Sequence, residues 1–156
     1  PQFCYEAMEC IGGVGYVEEN LLPRLYREAP VNAIWEGSGN IQCLDVLRAM
    51  QKEPAALQAC LNELQAVTGR SDDYDAAFAR LQTALQDAST LEYRARSIVD
   101  QLALLLQASV LLQYGEPMVA EAFIRARLIP GICSNYGTLP ADIDCVALMA
   151  RAQPKV

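Results

Sequence analysis

Few side chains in this sequence are of the kinds that do chemistry, and the missing kinds narrow the field first. Histidine is absent among the 156 residues. That excludes a histidine-dependent triad, a histidine base and most zinc or iron sites within the chain, so no metal is expected. Six cysteines are present (Cys4, Cys10, Cys43, Cys60, Cys133 and Cys145), none in a Cys-x-x-Cys pair. Most stand among apolar helical residues, so they read as buried free thiols of a cytosolic protein rather than as disulfides. What remains is a glycine cluster, Gly12-Gly13-Val14-Gly15, and an acid in a loop, Glu36 of Trp35-Glu36-Gly37-Ser38. Taken alone, the cluster is a turn. Taken alone, Glu36 is an acid just ahead of a helix that starts near Gly39, where negative charge is favoured.

The elements that position these residues are helices. Apolar residues make up 53% of the chain, with alanine, leucine and glutamine prominent and runs of β-branched residues rare. That composition predicts an all-α fold with a real core. Residues 1–10 read as the end of a helix stopped by the glycine cluster, and a short helix is predicted from Glu18 to Glu28 around Pro23. Asn32 to Asn40 is a loop of turn-formers. A third helix carries Ile41, Leu44, Leu47 and Met50 at the 3-4 spacing of an apolar stripe.

Pro54 punctuates the chain, and plain amphipathic helices follow. Leu57, Cys60, Leu61, Leu64 and Val67 mark one face, ending at Gly69. Ser71-Asp72-Asp73 caps the next helix, whose face is Tyr74, Phe78, Leu81 and Leu85. A long helix is predicted from Ser89 or Thr90 to Tyr114, another from Pro117 towards Ile129, and a last one from about Pro140 to Ala152. Five antiparallel helices with short loops make a helical bundle. The expected division is 1–52 for the loop-bearing part and 53–156 for a helical extension.

Charge and hydropathy exclude further classes. Nineteen acids against twelve bases give a net charge of −7, which disfavours nucleic-acid binding by charge alone. The apolar stretch Ile98 to Leu112, broken by Asp100, Gln101 and Gln107, reads as a buried helix too short to span a bilayer. No signal peptide is visible, and a start inside a helix without an initiator methionine points to a piece of a longer protein.

Seen together, the residues of the first fifty positions say more. Gly12-Gly13-Val14-Gly15-Tyr16 is followed by Arg27-Glu28-Ala29, by Trp35-Glu36-Gly37-Ser38 and by Ile41-Gln42. This array resembles the C-terminal signature of the acyl-CoA dehydrogenase family, from Gly12 to Gln42 without a gap. The resemblance implies FAD as cofactor and α,β-dehydrogenation of acyl-CoA thioesters by the intact protein, with the fragment alone inactive. Proton removal beside a thioester carbonyl needs a carboxylate base in a dry pocket, while hydride leaves to the flavin. In the largest branch the glutamate of the loop is that base, which is Glu36 here; other branches use another helix. By the same resemblance Gly37, Ser38 and Gln42 lie near the cofactor, and Gly12 and Gly13 contact the flavin nucleotide of a neighbouring subunit in a homo-oligomer. Ser38 keeps the hydroxyl of the commoner threonine, and Glu9 stands where the family usually has glutamine. Arg27 reads as structural, pairing with a nearby carboxylate.

The Trp-Glu-Gly-Ser-Gly-Asn loop, with Pro30-Val31-Asn32 before it, looks most like the alkylation-response (AidB-like) branch. In that branch a long helical extension is associated with DNA binding through basic residues, which makes a DNA-associated flavoprotein with little turnover the alternative function. Residues 53–156 hold twelve acids and eight bases, a net −4, and do not support DNA as a partner. A third reading makes the extension an oligomerisation module. Localisation is expected to be cytoplasmic.

Overall fold

The computed structural model describes residues 1–131 and 136–154. Among these residues the regular structure is helical throughout. It divides into two compact units, Pro1–Gln42 and Cys43–Val156. The first unit holds helix α1 (Gln2–Ile11), a helical turn α2 (Gly13–Tyr16), α3 (Leu22–Glu28) and a 3-10 turn at Ala29–Ala33. Helix α4 (Gly39–Lys52) begins in the first unit and runs into the second. The second unit continues with α5 (Pro54–Gln65), α6 (Asp72–Gln86), α7 (Ala95–Tyr114), α8 (Pro117–Arg127) and α9 (Cys145–Ala152).

Local chemistry explains most boundaries. Pro54 and Pro117 open α5 and α8 at positions where the missing N–H costs nothing. Ser71 caps α6 by accepting the Tyr74 N–H, and Asp72, Asp73 and Asp75 place negative charge in its first turn. Helix α3 starts at Leu22 rather than Glu18, because the Asn20 side chain accepts the Leu22 N–H at 2.9 Å and turns the chain there. Helix α7 starts at Ala95 rather than at Ser89 or Thr90. Asp87 accepts from the Ser89 N–H and from both the Ser89 and Thr90 hydroxyls, which ties residues 88–90 into a 3-10 turn. Helix α9 starts at Cys145 rather than near Pro140, capped by Asp144 accepting the Ala147 N–H.

The core lies in the second unit. Leu64, Val67, Tyr74, Phe78, Leu81, Ile98, Leu105 and Ile124 form one buried cluster, where α7 packs against α5, α6 and α8. The predicted stripes of α5 and α6 supply five of these residues. The Tyr74 hydroxyl donates to the Leu64 carbonyl at 2.9 Å inside the cluster, and burial pushes that phenol well above its usual range. Arginines close helix ends that lie far away in sequence. Arg70 donates to the Leu112 carbonyl of α7 and Arg80 to the Leu128 carbonyl after α8. Arg94 donates to the Ala84 and Asp87 carbonyls at the end of α6.

Two expectations need correction. Helix α7, at twenty residues with mean hydropathy 1.4, is long and apolar enough to cross a membrane, because the helix extends beyond the apolar stretch read from the sequence. Here it serves as the bundle helix that buries Ile98, Leu105 and Ala108. The five described cysteines are free thiols but none is fully buried, and Cys10 and Cys145 are exposed. Each of those two lies on a face of a helix, α1 or α9, that buries no residue. Cys133 lies outside the described residues.

Candidate functional site

Every residue singled out for the site lies in the first unit. Helix α1 ends where the Gly12 N–H donates to the Met8 and Glu9 carbonyls with Gly12 at φ 74°. The chain then turns at once into α2, a helical turn the sequence did not announce. Gly15 explains it. A Cβ there would lie 2.8 Å from the Met8 carbonyl oxygen, so only glycine lets α2 fold back this closely on α1. Gly12 and Gly13 are different, because a Cβ at either meets nothing within 4 Å. Their backbone faces open space.

The second loop is a closed turn. Glu36 adopts φ 60°, the one non-glycine residue with positive φ among the described residues, and Gly37 follows at φ 114°. The Gln42 side-chain amide donates to the Glu36 carbonyl at 2.7 Å, and the Gln42 N–H donates to the Ser38 carbonyl at 3.0 Å. A Cβ on Gly37 would sit 2.8 Å from Gln42 Nε2, so the clamp needs the glycine. The fold thus gathers Glu36, Gly37, Ser38 and Gln42 into one hydrogen-bonded turn at the start of α4. Gly12 and Gly13 occupy the α1–α2 junction. Glu36, Ser38 and Gln42 are all exposed, so the dry surroundings a base needs are not supplied by the described residues of this unit.

Electrostatics around α1 and α3 are those of surface pairs. Arg27 makes two hydrogen bonds to Glu18, at 2.6 and 2.9 Å, the structural pairing expected for it. The guanidinium holds the Glu18 carboxyl below its ordinary value. Glu9 accepts from the Tyr5 hydroxyl at 3.2 Å, and that bond to a carboxylate raises the Tyr5 phenol. A cleft of about 620 Å³ opens beside these groups, lined by Tyr5, Met8, Tyr16, Pro23 and Tyr26 among others. The sequence held no signal for it, since its walls come from three helical segments. Apolar side chains stand out on both loops: Tyr16 is 77% exposed, Ile34 67% and Trp35 61%. A concentration of such residues marks a surface built to be covered.

Among the described residues no group of three His, Cys, Asp or Glu side chains could hold a metal ion. The cations of the second unit are largely committed. Besides the three capping arginines, Arg125 forms a two-pronged pair with Asp142, and Arg151 pairs with Glu116.

Comparison with known proteins bears directly on these loops. Residues 2–51 match the family model of the acyl-CoA dehydrogenase C-terminal domain. The chain is 45% identical over 126 residues to AidB of Escherichia coli (strain K12), an acyl-CoA dehydrogenase by name, covering 81% of this chain and 23% of that protein. It is 36% identical over 83 residues to acyl-CoA dehydrogenase family member 11 of Caenorhabditis elegans, covering 53% of this chain and 14% of the relative. It is 35% identical over 54 residues to cyclohexane-1-carbonyl-CoA dehydrogenase of Geobacter metallireducens, covering 35% and 14%. The chain therefore spans about a quarter or less of the length of these relatives. The similarity to AidB is too long to fit within residues 2–51, so it reaches into the second unit.

Proposed function

Because this chain belongs to the acyl-CoA dehydrogenase family, with residues 2–51 matching its C-terminal domain, we propose that it forms the C-terminal part of an FAD-dependent oxidoreductase that introduces an α,β double bond into acyl-CoA thioesters. The observation that carries this reading is the closed turn of Glu36, Gly37, Ser38 and Gln42, which presents an acid and a hydroxyl from one hydrogen-bonded loop. Glu36 takes the proton from the carbon beside the thioester carbonyl, its carboxylate becoming the carboxylic acid. When bound, FAD supplies the acceptor for the hydride.

The residues present fit such a cofactor. Gly12 and Gly13 leave their backbone open to a large group, and no side chain stands in the way. Ser38 offers an exposed hydroxyl at the start of α4. In this reading Gly12 and Gly13 meet the nucleotide part of a cofactor held by a neighbouring copy, within a homo-oligomer. The exposed Tyr16, Ile34 and Trp35 are then covered in the intact protein, which also supplies the dry surroundings that Glu36 lacks here. Free thiols at the five described cysteines support a cytoplasmic setting. DNA is not proposed as a partner, because five arginines of the second unit are engaged by carbonyls or acids.

The test is Glu36→Gln in the intact protein. It keeps the shape of the loop and removes only the base. Flavin bleaching by an acyl-CoA, followed by rapid mixing, should slow by at least about a hundredfold, the low end for losing a general base. FAD content should stay near that of the parent. If the carboxylate were only a helix N-terminal charge, its loss would cost about 1 kcal/mol or less in stability and leave bleaching intact. Unchanged bleaching would assign the proton to another residue.

A further inference from the structure

Gln42 was read from the sequence as a cofactor neighbour, yet its amide already has a task inside the loop. Its Nε2 lies 2.7 Å from the Glu36 carbonyl oxygen. A carbonyl can only accept, so the group turned towards it must be the amide N–H. The bond closes over six residues, from the Glu36 carbonyl to the Gln42 side chain, so it encloses Gly37 at φ 114° and pins the carbonyl of Glu36, which stands at φ 60°. A non-glycine residue in the left-handed region is held there only when its surroundings over-determine it. Both Glu36 and Gln42 are exposed, so burial does not hold the turn. The lack of a Cβ at position 37 also matters, since that atom would displace Nε2.

We infer that Gln42 is the positioning residue of the site: its side-chain N–H holds Glu36 in the left-handed conformation and so sets the direction of the Glu36 carboxylate. This rests on the reading of Glu36 as base, and it reassigns Gln42 from cofactor contact to clamp. The direction of a Cα–Cβ bond follows from φ and ψ, so a relaxed Glu36 backbone would swing the carboxylate away from its target. Orientation errors of that size cost up to about a hundredfold in rate.

The experiment uses the intact protein with Gln42→Met, which keeps the length and loses the donor, and Gln42→Glu, whose ionised form keeps the shape and cannot donate. Three quantities are read: hydrogen–deuterium exchange at the backbone amide of residue 42, which donates to the Ser38 carbonyl across the same turn, bound FAD per chain, and the rate of flavin reduction by an acyl-CoA across its concentration range. A clamp predicts exchange about two- to tenfold faster, the range set by the net worth of one hydrogen bond. It predicts unchanged FAD content. It also predicts a limiting reduction rate lowered about ten- to a hundredfold, with half-saturation at the same acyl-CoA concentration. Loss of FAD in both variants would make Gln42 a cofactor ligand and overturn the proposal, as would unchanged exchange. Faster exchange with an unchanged limiting rate would also overturn it. Glu36→Gln run beside them separates the two ideas: if it bleaches normally the base lies elsewhere, while the exchange data still judge the clamp.

Discussion

The two units of this chain solve the problem of order in opposite ways. In residues 1–42 only Gly15 and Pro23 are fully buried, and thirteen large apolar residues from Phe3 to Ile41 are exposed. Its shape is held by helix hydrogen bonds, the Arg27–Glu18 pair, the close approach at Gly15 and the Gln42 clamp. The second unit closes its own core around Tyr74, Leu81 and Ile98 and ties its helix ends with arginines. The difference teaches where function lies. A segment that spends its apolar residues on the surface is shaped to be completed by other parts of a protein, and both candidate loops lie there.

The largest expected effect tests the core side of that contrast. Leu81→Ala should destabilise the chain by about 2–5 kcal/mol, the range for truncating a fully buried leucine. Trp35→Ala in the same chain should shift stability by about 0.5 kcal/mol or less, since the indole is exposed. Urea denaturation followed by helical circular dichroism measures both. A Trp35 loss as large as the Leu81 loss would break the comparison.

A smaller effect should follow Tyr74→Phe. The ring stays packed, but the Leu64 carbonyl loses its buried donor, at a cost of about 1–3 kcal/mol. The same denaturation assay checks it. A neutral substitution would mean that the α5–α6 contact is held by packing alone.

The smallest effect is in acid. Arg27 lowers the Glu18 carboxyl from its ordinary value of 4.5, and Arg125 lowers that of Asp142 from 3.8. A folded-state value below the unfolded one gives stability that is present above the unfolded value and lost as pH falls through the folded one. The chain should therefore weaken as pH drops below about 4.5. Arg27→Gln should remove the part of that slope that Glu18 contributes, and Arg125→Gln the part that Asp142 contributes. Both pairs are exposed, so each change should be slight. Thermal melts between pH 3 and 6 compare the three proteins. Equal acid slopes in all three would show that neither pair contributes.

Much of this was legible along the chain because it is local. Proline at the start of α5 and α8, Ser71 before the acids of α6, and Gly69 and Gly115 after helix ends all act within a few residues of where they stand. The 3-4 spacing of Leu64, Val67, Tyr74, Phe78 and Leu81 marked the core face for the same reason: a helix repeats over a short distance. The site residues were legible by type, through the glycines and the acid of two loops and their likeness to one family.

Tertiary structure alone decided the rest, and the reason is distance or geometry. Arg70 and Arg80 find carbonyls 42 and 48 residues away, partners that no periodicity could indicate. The start of α7 depended on which oxygen Asp87, Ser89 and Thr90 chose, a competition between side chain and helix that composition leaves open. Gly15 looked like part of a turn until α2 folded onto α1 and removed the room for a Cβ. Glu36 looked like a helix cap or a base until the loop closed, because residue identity does not fix φ. Six residues further on, one amide N–H does.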